Sequence, residues 1–226
     1  MTLDSAKVRE KVVVLLSGGI DSATALAIAK SENKEIYALT IDYGQKNREE
    51  IEAARRIALQ FGVTEHKVIL VELGKICISP VMVSYLMVEG KVYSEAEGRS
   101  PNYVPARNLI FLSLALSYAE TVGASCILIG VGAEDSFGFP DARSEFLDAF
   151  ENLVNIATGF GDKRIKVLAP LKEMSKGQII LKGKSLGVDF SITQSCYEPE
   201  NGMPCGRCES CMARRMGFEE AGIEDS

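Results

Sequence analysis

The chain of 226 residues lacks the features that mark membrane, secreted and strongly basic proteins. No apolar run approaches the roughly 20 residues that a membrane-spanning helix requires, and no N-terminal stretch combines a basic flank, a long apolar segment and a cleavage site. The formal net charge is −6, which argues against a large nucleic-acid surface because neutralising phosphates requires clustered lysine and arginine. We therefore expect a cytoplasmic protein that binds neither membranes nor nucleic acids.

Histidine is nearly absent, since His66 is the only one in the chain. It stands between Glu65 and Lys67 at the start of a predicted strand, where we expect a solvated surface residue rather than a catalytic base. Internal repeats and low-complexity tracts are also missing. The chemistry is therefore expected to depend on positioning and charge stabilisation, with little demand for an activated side-chain nucleophile.

A glycine-containing hexapeptide lies near the N-terminus. Its sequence, SGGIDS at residues 17–22, follows the apolar run 12–16 and precedes a helix-like stretch at 23–30. Such a strand-to-helix turn lets the backbone approach an anion, and the helix dipole adds a positive field. The Walker pattern is absent, so a pyrophosphate-gripping loop of another type is indicated. The alternative is an ordinary turn in which Asp21 and Ser22 cap a helix.

Four cysteines are clustered near the C-terminus in the spacing Cys-(x)8-Cys-x-x-Cys-x-x-Cys. Thiolates collected over so short a stretch suit one tetrahedral zinc ion. Protein would fill every coordination position, which leaves none for water or substrate and predicts a structural zinc. The predicted ligands are Cys196, Cys205, Cys208 and Cys211.

Apolar runs alternate with amphipathic stretches along the chain, which is the pattern of helices laid over a largely parallel sheet. We predict a single α/β domain over residues 1–226, with an open, mostly parallel sheet and helices on both faces. Residues 1–190 form its core, and residues 191–226 form a zinc-binding segment packed on that core. Strands are predicted at 12–16, 35–42, 66–71, 126–130 and 166–168, and helices at 23–30, 46–60, 109–121, 144–157 and 175–186.

Loop motifs occur in a fixed order along the chain: YGQK at 43–46, YVPARN at 103–108, GVGAED at 130–135, GFPD at 138–141, SCY at 195–197 and CGRCESC at 205–211. Together with SGGIDS they resemble the N-type ATP pyrophosphatases and, more closely, the 7-cyano-7-deazaguanine synthase family. The resemblance spans nearly the whole chain. It implies an adenine-nucleotide alpha-hydrolase-like, Rossmann-like fold.

The resemblance also implies a reaction. In that family 7-carboxy-7-deazaguanine is adenylated and ammonia gives the amide. A second ATP then activates the amide, which loses AMP to form 7-cyano-7-deazaguanine, the nitrile precursor of queuosine and archaeosine. ATP is thus a cosubstrate, its charge calls for magnesium, and pyrophosphate is released. The residues expected to bind ATP are Leu16, Ser17, Gly18, Gly19, Ile20, Asp21, Ser22, Ala23, Thr24, Ala25 and Leu26.

Charged residues in the loops are the candidates for contact with phosphate or the deazaguanine; they are Asp21, Lys46, Arg107, Asp135 and Asp141. Asp21 either caps the helix or helps to place magnesium, and for each of the others a surface salt bridge is the alternative. Phe137 and Phe139 have rings suited to stack on a flat heterocycle, with a core anchor as the alternative. The metal is expected to hold the C-terminal tail near the cleft, which would place Arg207 or Arg214 close to substrate.

One departure from the family pattern concerns Asn47, which stands where the family usually has a histidine after the Tyr-Gly-Gln segment. A family role for that histidine does not carry over. Two other functions remain open: an ATP-dependent tRNA-thiolating enzyme and a non-enzymatic nucleotide-binding module. A homodimer is a further expectation, with a subunit contact formed by Met212, Met216 and Phe218 and by the apolar stretch 81–88.

Overall fold

The structure is a computed structural model that describes residues 9–77, 79–82, 100, 102–159 and 164–225. Most of the apolar stretch 81–88, one half of the expected subunit contact, lies outside these residues. In the described part of the chain, no helix is long and apolar enough to cross a membrane.

Among the described residues, five parallel strands form one sheet in the order β3-β2-β1-β4-β5. They are β1 (Lys11–Leu15), β2 (Glu35–Asp42), β3 (Glu65–Leu70), β4 (Cys126–Leu128) and β5 (Lys166–Leu168). In the register, Val13 of β1 lies opposite Tyr37 of β2 on one side and Ile127 of β4 on the other. The chain therefore runs from β1 outward to β3, returns to the other side of β1 and continues outward to β5.

Seven α-helices are seen in the described residues. They are α1 (Ile20–Ser31), α2 (Glu49–Phe61), α3 (Arg107–Val122), α4 (Asp135–Gly138), α5 (Ser144–Ala157), α6 (Lys176–Ser185) and α7 (Glu209–Ala221). Short 3-10 turns occupy Leu73–Lys75, Pro140–Ala142 and Phe190–Ile192. Helix α6 begins with a capping box, in which the Ser175 hydroxyl accepts from the Gln178 amide and the Gln178 side chain accepts from the Ser175 amide.

Two apolar clusters fill the two faces of the sheet. Alternate residues of β1 point to opposite faces, as the strand period requires. Val12 and Val14 join a cluster that also contains side chains of α1, α2, α6 and α7. Val13 and Leu15 join a second cluster, on the face covered by α3 and α5. Helices on both faces of a parallel sheet confirm the fold class expected from the sequence.

Most predicted elements are found within two or three residues of their expected bounds. Strand 35–42, helix 144–157 and strand 166–168 match at both ends. Two expectations are wrong. His66 is half-buried, not solvated, because β3 pairs with β2 and brings its Nε2 to 2.8 Å from the Thr40 hydroxyl. Phe218, expected in a subunit contact, is 3% exposed and packs edge-on against Phe190.

Candidate active site and metal centre

A cavity of about 230 Å³ opens at the carboxyl ends of β1, β2 and β4. Strands β1 and β4 are parallel neighbours, but after β1 the chain continues to β2 on one side of the sheet and after β4 to β5 on the other. The cavity therefore lies at the topological switch point of the sheet. That crevice is where open α/β sheets bind ligands. Residues following all three strands line the cavity, together with the starts of α1, α2 and α3 and part of the C-terminal segment.

The SGGIDS turn takes a shape that only glycine permits at Gly18. Its φ is +92°, and a Cβ there would lie 2.1 Å from the backbone oxygen of Glu50. A second close approach occurs at Gly130, where a Cβ would lie 2.8 Å from the backbone nitrogen of Ser22. The turn is therefore held between α2 and the end of β4. The first amides of α1 have no carbonyl partner within the helix, and they belong to residues that line the cavity.

The two serines of the turn hydrogen-bond to one another rather than projecting as free donors. The Ser22 hydroxyl accepts from the Ser17 amide at 3.2 Å and from the Ser17 hydroxyl at 3.1 Å, and it donates to the Gly19 carbonyl at 3.1 Å. A hydroxyl has one hydrogen to donate and two lone pairs that accept, so these three bonds use the full hydrogen-bonding capacity of Ser22. The helix N-cap is Gly19, with no side-chain cap bond, so Asp21 and Ser22 do not cap α1 as the ordinary-turn alternative required.

Asp21 instead forms an ion pair. Both of its carboxylate oxygens accept from the Lys176 ammonium, at 2.8 and 2.6 Å, and all of these groups lie at the cavity. Burial disfavours the charged form of Lys176 and is the largest single influence on its pKa. The attraction and hydrogen bonds to the Asp21 carboxylate act the other way, and the pKa of Lys176 is raised. Asp135 lies in the same cavity and accepts from the Gly132 amide at 2.7 Å. Burial and then the charge of Asp21 raise the pKa of Asp135.

Arg107 begins α3 and lines the same cavity. Its guanidinium donates to the Tyr43 hydroxyl at 3.2 Å and lies 5.6 Å from the centre of that ring. Among the described residues, no carboxylate pairs with Arg107 within 4.0 Å. A half-buried cation that lines a cavity and has no carboxylate within ion-pair distance is suited to bind an anionic ligand.

Aromatic rings form part of the cavity wall. Tyr43 and Phe111 pack with ring centres 5.4 Å apart, and Phe139 and Tyr197 also line the cavity. Phe137, the other ring considered from the sequence, is 77% exposed and is not among the lining residues. Flat rings beside polar groups are suited to hold a planar heterocycle.

The four C-terminal cysteines converge, with all of their sulfur atoms within 4.8 Å of one another. Backbone amides already point at two of them: the Cys205 amide donates to Cys196 Sγ at 3.3 Å and the Cys211 amide to Cys208 Sγ at 3.4 Å. A set of four convergent thiols fits a tetrahedral metal site of the structural kind. The cluster is therefore suited to hold one metal ion, as the spacing predicted.

The segment that carries the cysteine cluster is connected to the SGGIDS turn at the cavity. The Gln194 amide donates to the Gly18 carbonyl at 2.9 Å, and Ser195, Tyr197 and Arg214 line the cavity. Arg214 is anchored by the Asp225 carboxylate at 2.6 Å. Arg207 is exposed, pairs with Glu200 and does not line the cavity. Of the two arginines considered from the sequence, only Arg214 is near the site.

The structure brings some of the predicted site residues together and leaves others aside. Asp21, Arg107 and Asp135 line the cavity, as do Leu16, Ser17, Gly19, Ile20 and Ser22. Lys46 lies outside the lining and pairs with Glu198 at 2.7 Å. The Asp141 carboxylate accepts from the Asn108 amide at 2.8 Å and so caps the start of α3. Gly18 packs against the backbone of α2, and Ala23, Thr24, Ala25 and Leu26 are buried in α1.

Several lining residues were missed by sequence reasoning, namely Glu50, Phe111, Lys176, Gln194 and Ser210. Glu50 and Lys176 occur in helices among other charged residues, where charge patterning indicates a solvated face. Tyr197 is in the SCY motif, which was a usable sign of its place. Nothing local in the sequence distinguishes the others, because the tertiary fold brings them to the cavity.

The strand order and the turn after β1 define the class of a protein with an adenine-nucleotide alpha-hydrolase-like fold. NMN synthetase from Francisella tularensis superimposes with a TM-score of 0.53 at 17% identity, over 97% of this chain and 80% of that one. The U34-tRNA thiolase NcsA from Methanococcus maripaludis superimposes with a TM-score of 0.50 at 16% identity, over 96% of this chain and 66% of that one. At such identities the likeness shows the fold alone.

A family model described as "Queuosine biosynthesis protein QueC" matches residues 11–222. A 7-cyano-7-deazaguanine synthase of Syntrophus aciditrophicus is 49% identical over 222 residues, covering 96% of each chain. Another from Ectopseudomonas mendocina is 47% identical over 220 residues, covering 96% of this chain and 97% of that one. The chain belongs to the QueC family, a family of enzymes, as its loop motifs indicated.

Proposed function

We propose that the chain converts 7-carboxy-7-deazaguanine and ammonia to 7-cyano-7-deazaguanine, using two ATP and releasing AMP and pyrophosphate. The observation that carries the proposal is one cavity containing both the SGGIDS turn and the Arg107 guanidinium. The first is suited to a nucleotide phosphate and the second to the carboxylate of the acid. Relatives that share nearly half of the sequence over nearly the whole chain bear the name of this enzyme.

The reaction needs the acid to be activated because a carboxylate is anionic and its oxygen leaves poorly. Transfer of AMP to that oxygen removes the charge and supplies a leaving group. The amides at the start of α1 bind the departing pyrophosphate, and the helix dipole stabilises its growing charge. Arg107 holds the acid carboxylate, and the rings of Tyr43 and Phe139 orient the heterocycle. Catalysis then consists of positioning and charge stabilisation.

Magnesium fits the carboxylates in the cavity. Asp21 and Asp135 both line it and would offer oxygen ligands, and the charge of Asp21 contributes to the raised pKa of Asp135. Magnesium is commonly held by one or two carboxylates together with phosphate oxygens. When bound, it would neutralise triphosphate charge. Lys176 contributes a further positive charge, since its ammonium is held at Asp21.

Zinc fits the cysteine cluster, and we infer that it is structural because four thiolates complete its coordination. The ion would fix the loop that carries Ser195 and Tyr197 against the turn at Gly18. We infer a cytoplasmic enzyme acting as one domain, because a reducing compartment keeps cysteines available as thiols. Its partners are then small molecules: ATP, the acid and ammonia.

The test is incubation of the protein with ATP, magnesium, ammonia and 7-carboxy-7-deazaguanine. AMP and pyrophosphate are expected only when the acid is present, and mass spectrometry is expected to find first the amide and then the nitrile. With the acid but without ammonia, labelled pyrophosphate is expected to exchange into ATP. Release of ADP, or AMP formation that does not depend on the acid, would overturn the proposal.

A further inference from the structure

Glu50 is a carboxylate that lines the cavity and has no role in the steps described so far. It lies in the first turn of α2, which packs against the SGGIDS turn through the contact between Gly18 and the Glu50 backbone oxygen. Its neighbours Glu49 and Glu52 in the same turn are exposed, but Glu50 points inward to the cavity. Of the three glutamates in this turn, only Glu50 therefore lines the cavity.

The orientation of Glu50 is set by Gln45. The side-chain oxygen of Gln45 accepts from the Tyr43 backbone amide at 2.8 Å, so its NH₂ group must point the other way. There the NH₂ group donates to one Glu50 oxygen at 2.8 Å. Gln45 is itself buried, which fixes this arrangement. No hydrogen bond to the second Glu50 oxygen is seen within the described residues.

The charged groups around Glu50 come from two elements besides its own. Arg107 at the start of α3 favours the ionised form, and Asp42 at the end of β2 opposes it. Tyr43, whose own pKa burial raises to about 12, stays neutral beside them and accepts from Arg107. Burial is the largest influence on Glu50 and raises its pKa to about 7. A carboxyl group with such a pKa exchanges protons readily at neutral pH.

We propose that Glu50 is the general base of the reaction, taking protons from the nitrogen in amide and nitrile formation, and that Gln45 is its positioning residue. The inference rests on the proposed function. It follows from geometry: Glu50 and Arg107 line one cavity and interact electrostatically, and Arg107 is the cation suited to the carboxylate that becomes the reacting carbon. With the acid carboxylate bound at Arg107, Glu50 is the carboxylate of the same cavity that takes the proton from the attacking nitrogen.

The protons balance as follows. Ammonium gives one proton to the Glu50 carboxylate, and the freed nitrogen lone pair forms the C–N bond as the C–O bond to AMP breaks. The new nitrogen loses a second proton to water, which leaves the amide. After ATP adenylates the amide oxygen, the nitrogen loses both of its protons, one to Glu50 and one to water. The C–O bond electrons leave with AMP and the C≡N bond is completed. Glu50 returns its proton to water after each step.

The test separates adenylation, which needs no base, from the two nitrogen steps, which do. Glu50→Gln keeps the size of the side chain and an oxygen that can accept from Gln45. We expect this variant to retain acid-dependent exchange of pyrophosphate into ATP within about threefold. We expect amide formation, and nitrile formation from supplied amide, to fall about 100-fold or more, the usual contribution of a general base. Glu49→Gln, an exposed acid one residue away, is the matched control and is expected to match the wild type.

The pH profile gives an independent readout. In the wild type, amide formation is expected to rise with pH through the pKa of Glu50 and then level off, because the ionised form is the base. Glu50→Gln removes this rise, and Glu50→Asp restores it together with part of the rate. Gln45→Ala removes a donor that favours the ionised form, so its rise is expected at higher pH. A merely structural role for Gln45 would lower the rate without moving the profile.

Two outcomes would overturn the inference. If Glu50→Gln loses exchange and the nitrogen steps to the same extent while its melting temperature is unchanged, Glu50 binds substrate and is not the base. If the variant retains wild-type rates in all steps, Glu50 has no catalytic part. Should the wild type itself show no acid-dependent exchange, the proposed function fails instead, so the two failures are distinguishable.

Discussion

The side-chain amide of Asn47 donates to the backbone carbonyl of Cys196 at 2.5 Å, across 149 positions of the sequence. Both residues are buried. This bond joins the loop after β2 to the segment that carries the cysteine cluster. Because Asn47 lies three residues before Glu50 and Cys196 immediately precedes Tyr197, the bond joins two segments that line the cavity.

Replacing Asn47 tests this coupling. Asn47→Ala leaves a buried carbonyl without its donor, which is expected to destabilise the fold by about 1–3 kcal/mol. Asn47→His keeps a side-chain N–H donor and is expected to recover part of the loss if its ring donates to the same carbonyl. Urea unfolding with metal bound measures both variants. Equal stability of Asn47→Ala and wild type would show that the bond contributes nothing.

The shape of the SGGIDS turn gives a second prediction, at Gly18. A Cβ there would clash with the Glu50 backbone oxygen, and the positive φ adds strain for any other residue. Gly18→Ala is expected to lose at least about 2 kcal/mol of stability and to weaken ATP binding at least tenfold. Calorimetric titration with ATP measures the binding. Gly159→Ala is the control, because nothing lies within 4 Å of its added Cβ.

The cysteine cluster predicts one zinc ion per chain by elemental analysis. Cys205→Ser is expected to lose the metal and to lower the melting temperature, because a structural zinc contributes folding energy directly. Strong chelators are expected to have the same effect on the wild type. Cys77→Ala, outside the cluster, serves as control. A metal-free protein that melts at the wild-type temperature would contradict a structural role.

Arg107 predicts how the acid is bound. Arg107→Gln removes the half-buried cation proposed to hold the acid carboxylate, and we expect kcat/KM for the acid to fall about 100-fold or more. Binding of ATP alone should change little. Arg207→Gln, an exposed arginine paired with Glu200, is the control and is expected to behave like the wild type. Equal effects of the two substitutions would exclude a specific role for Arg107.

The raised pKa of Glu50 also predicts how stability depends on pH. In the unfolded chain the pKa is about 4.3, whereas the folded value is about 7, so the folded state keeps a proton that the unfolded state has lost. The stabilisation that comes from this retained proton is fully present below the pKa of the unfolded chain, and it is lost as the pH rises through about 7. Between about pH 5 and pH 8, wild type is expected to lose roughly 2 kcal/mol relative to Glu50→Gln. Urea unfolding at several pH values measures it, and parallel curves would contradict it.

The sequence by itself determined the parallel sheet, the turn after β1 and the cysteine cluster. Hydrophobic periodicity is local, so strands such as Glu35–Asp42 were predicted to the residue. The spacing of the four cysteines is short enough for chain geometry alone to bring their sulfurs together. Loop motifs in the family's order indicated the reaction.

Only the tertiary structure decided which charged side chains meet. Glu50 and Lys176 look like solvated helix residues in the sequence, yet helix packing turns them into the cavity. Lys46 and Asp141 looked like site residues, yet one pairs with Glu198 and the other caps α3. The physical reason is that a pattern records which face of an element is apolar, whereas the partner of a charge is set by elements that are distant in the chain and adjacent only after folding.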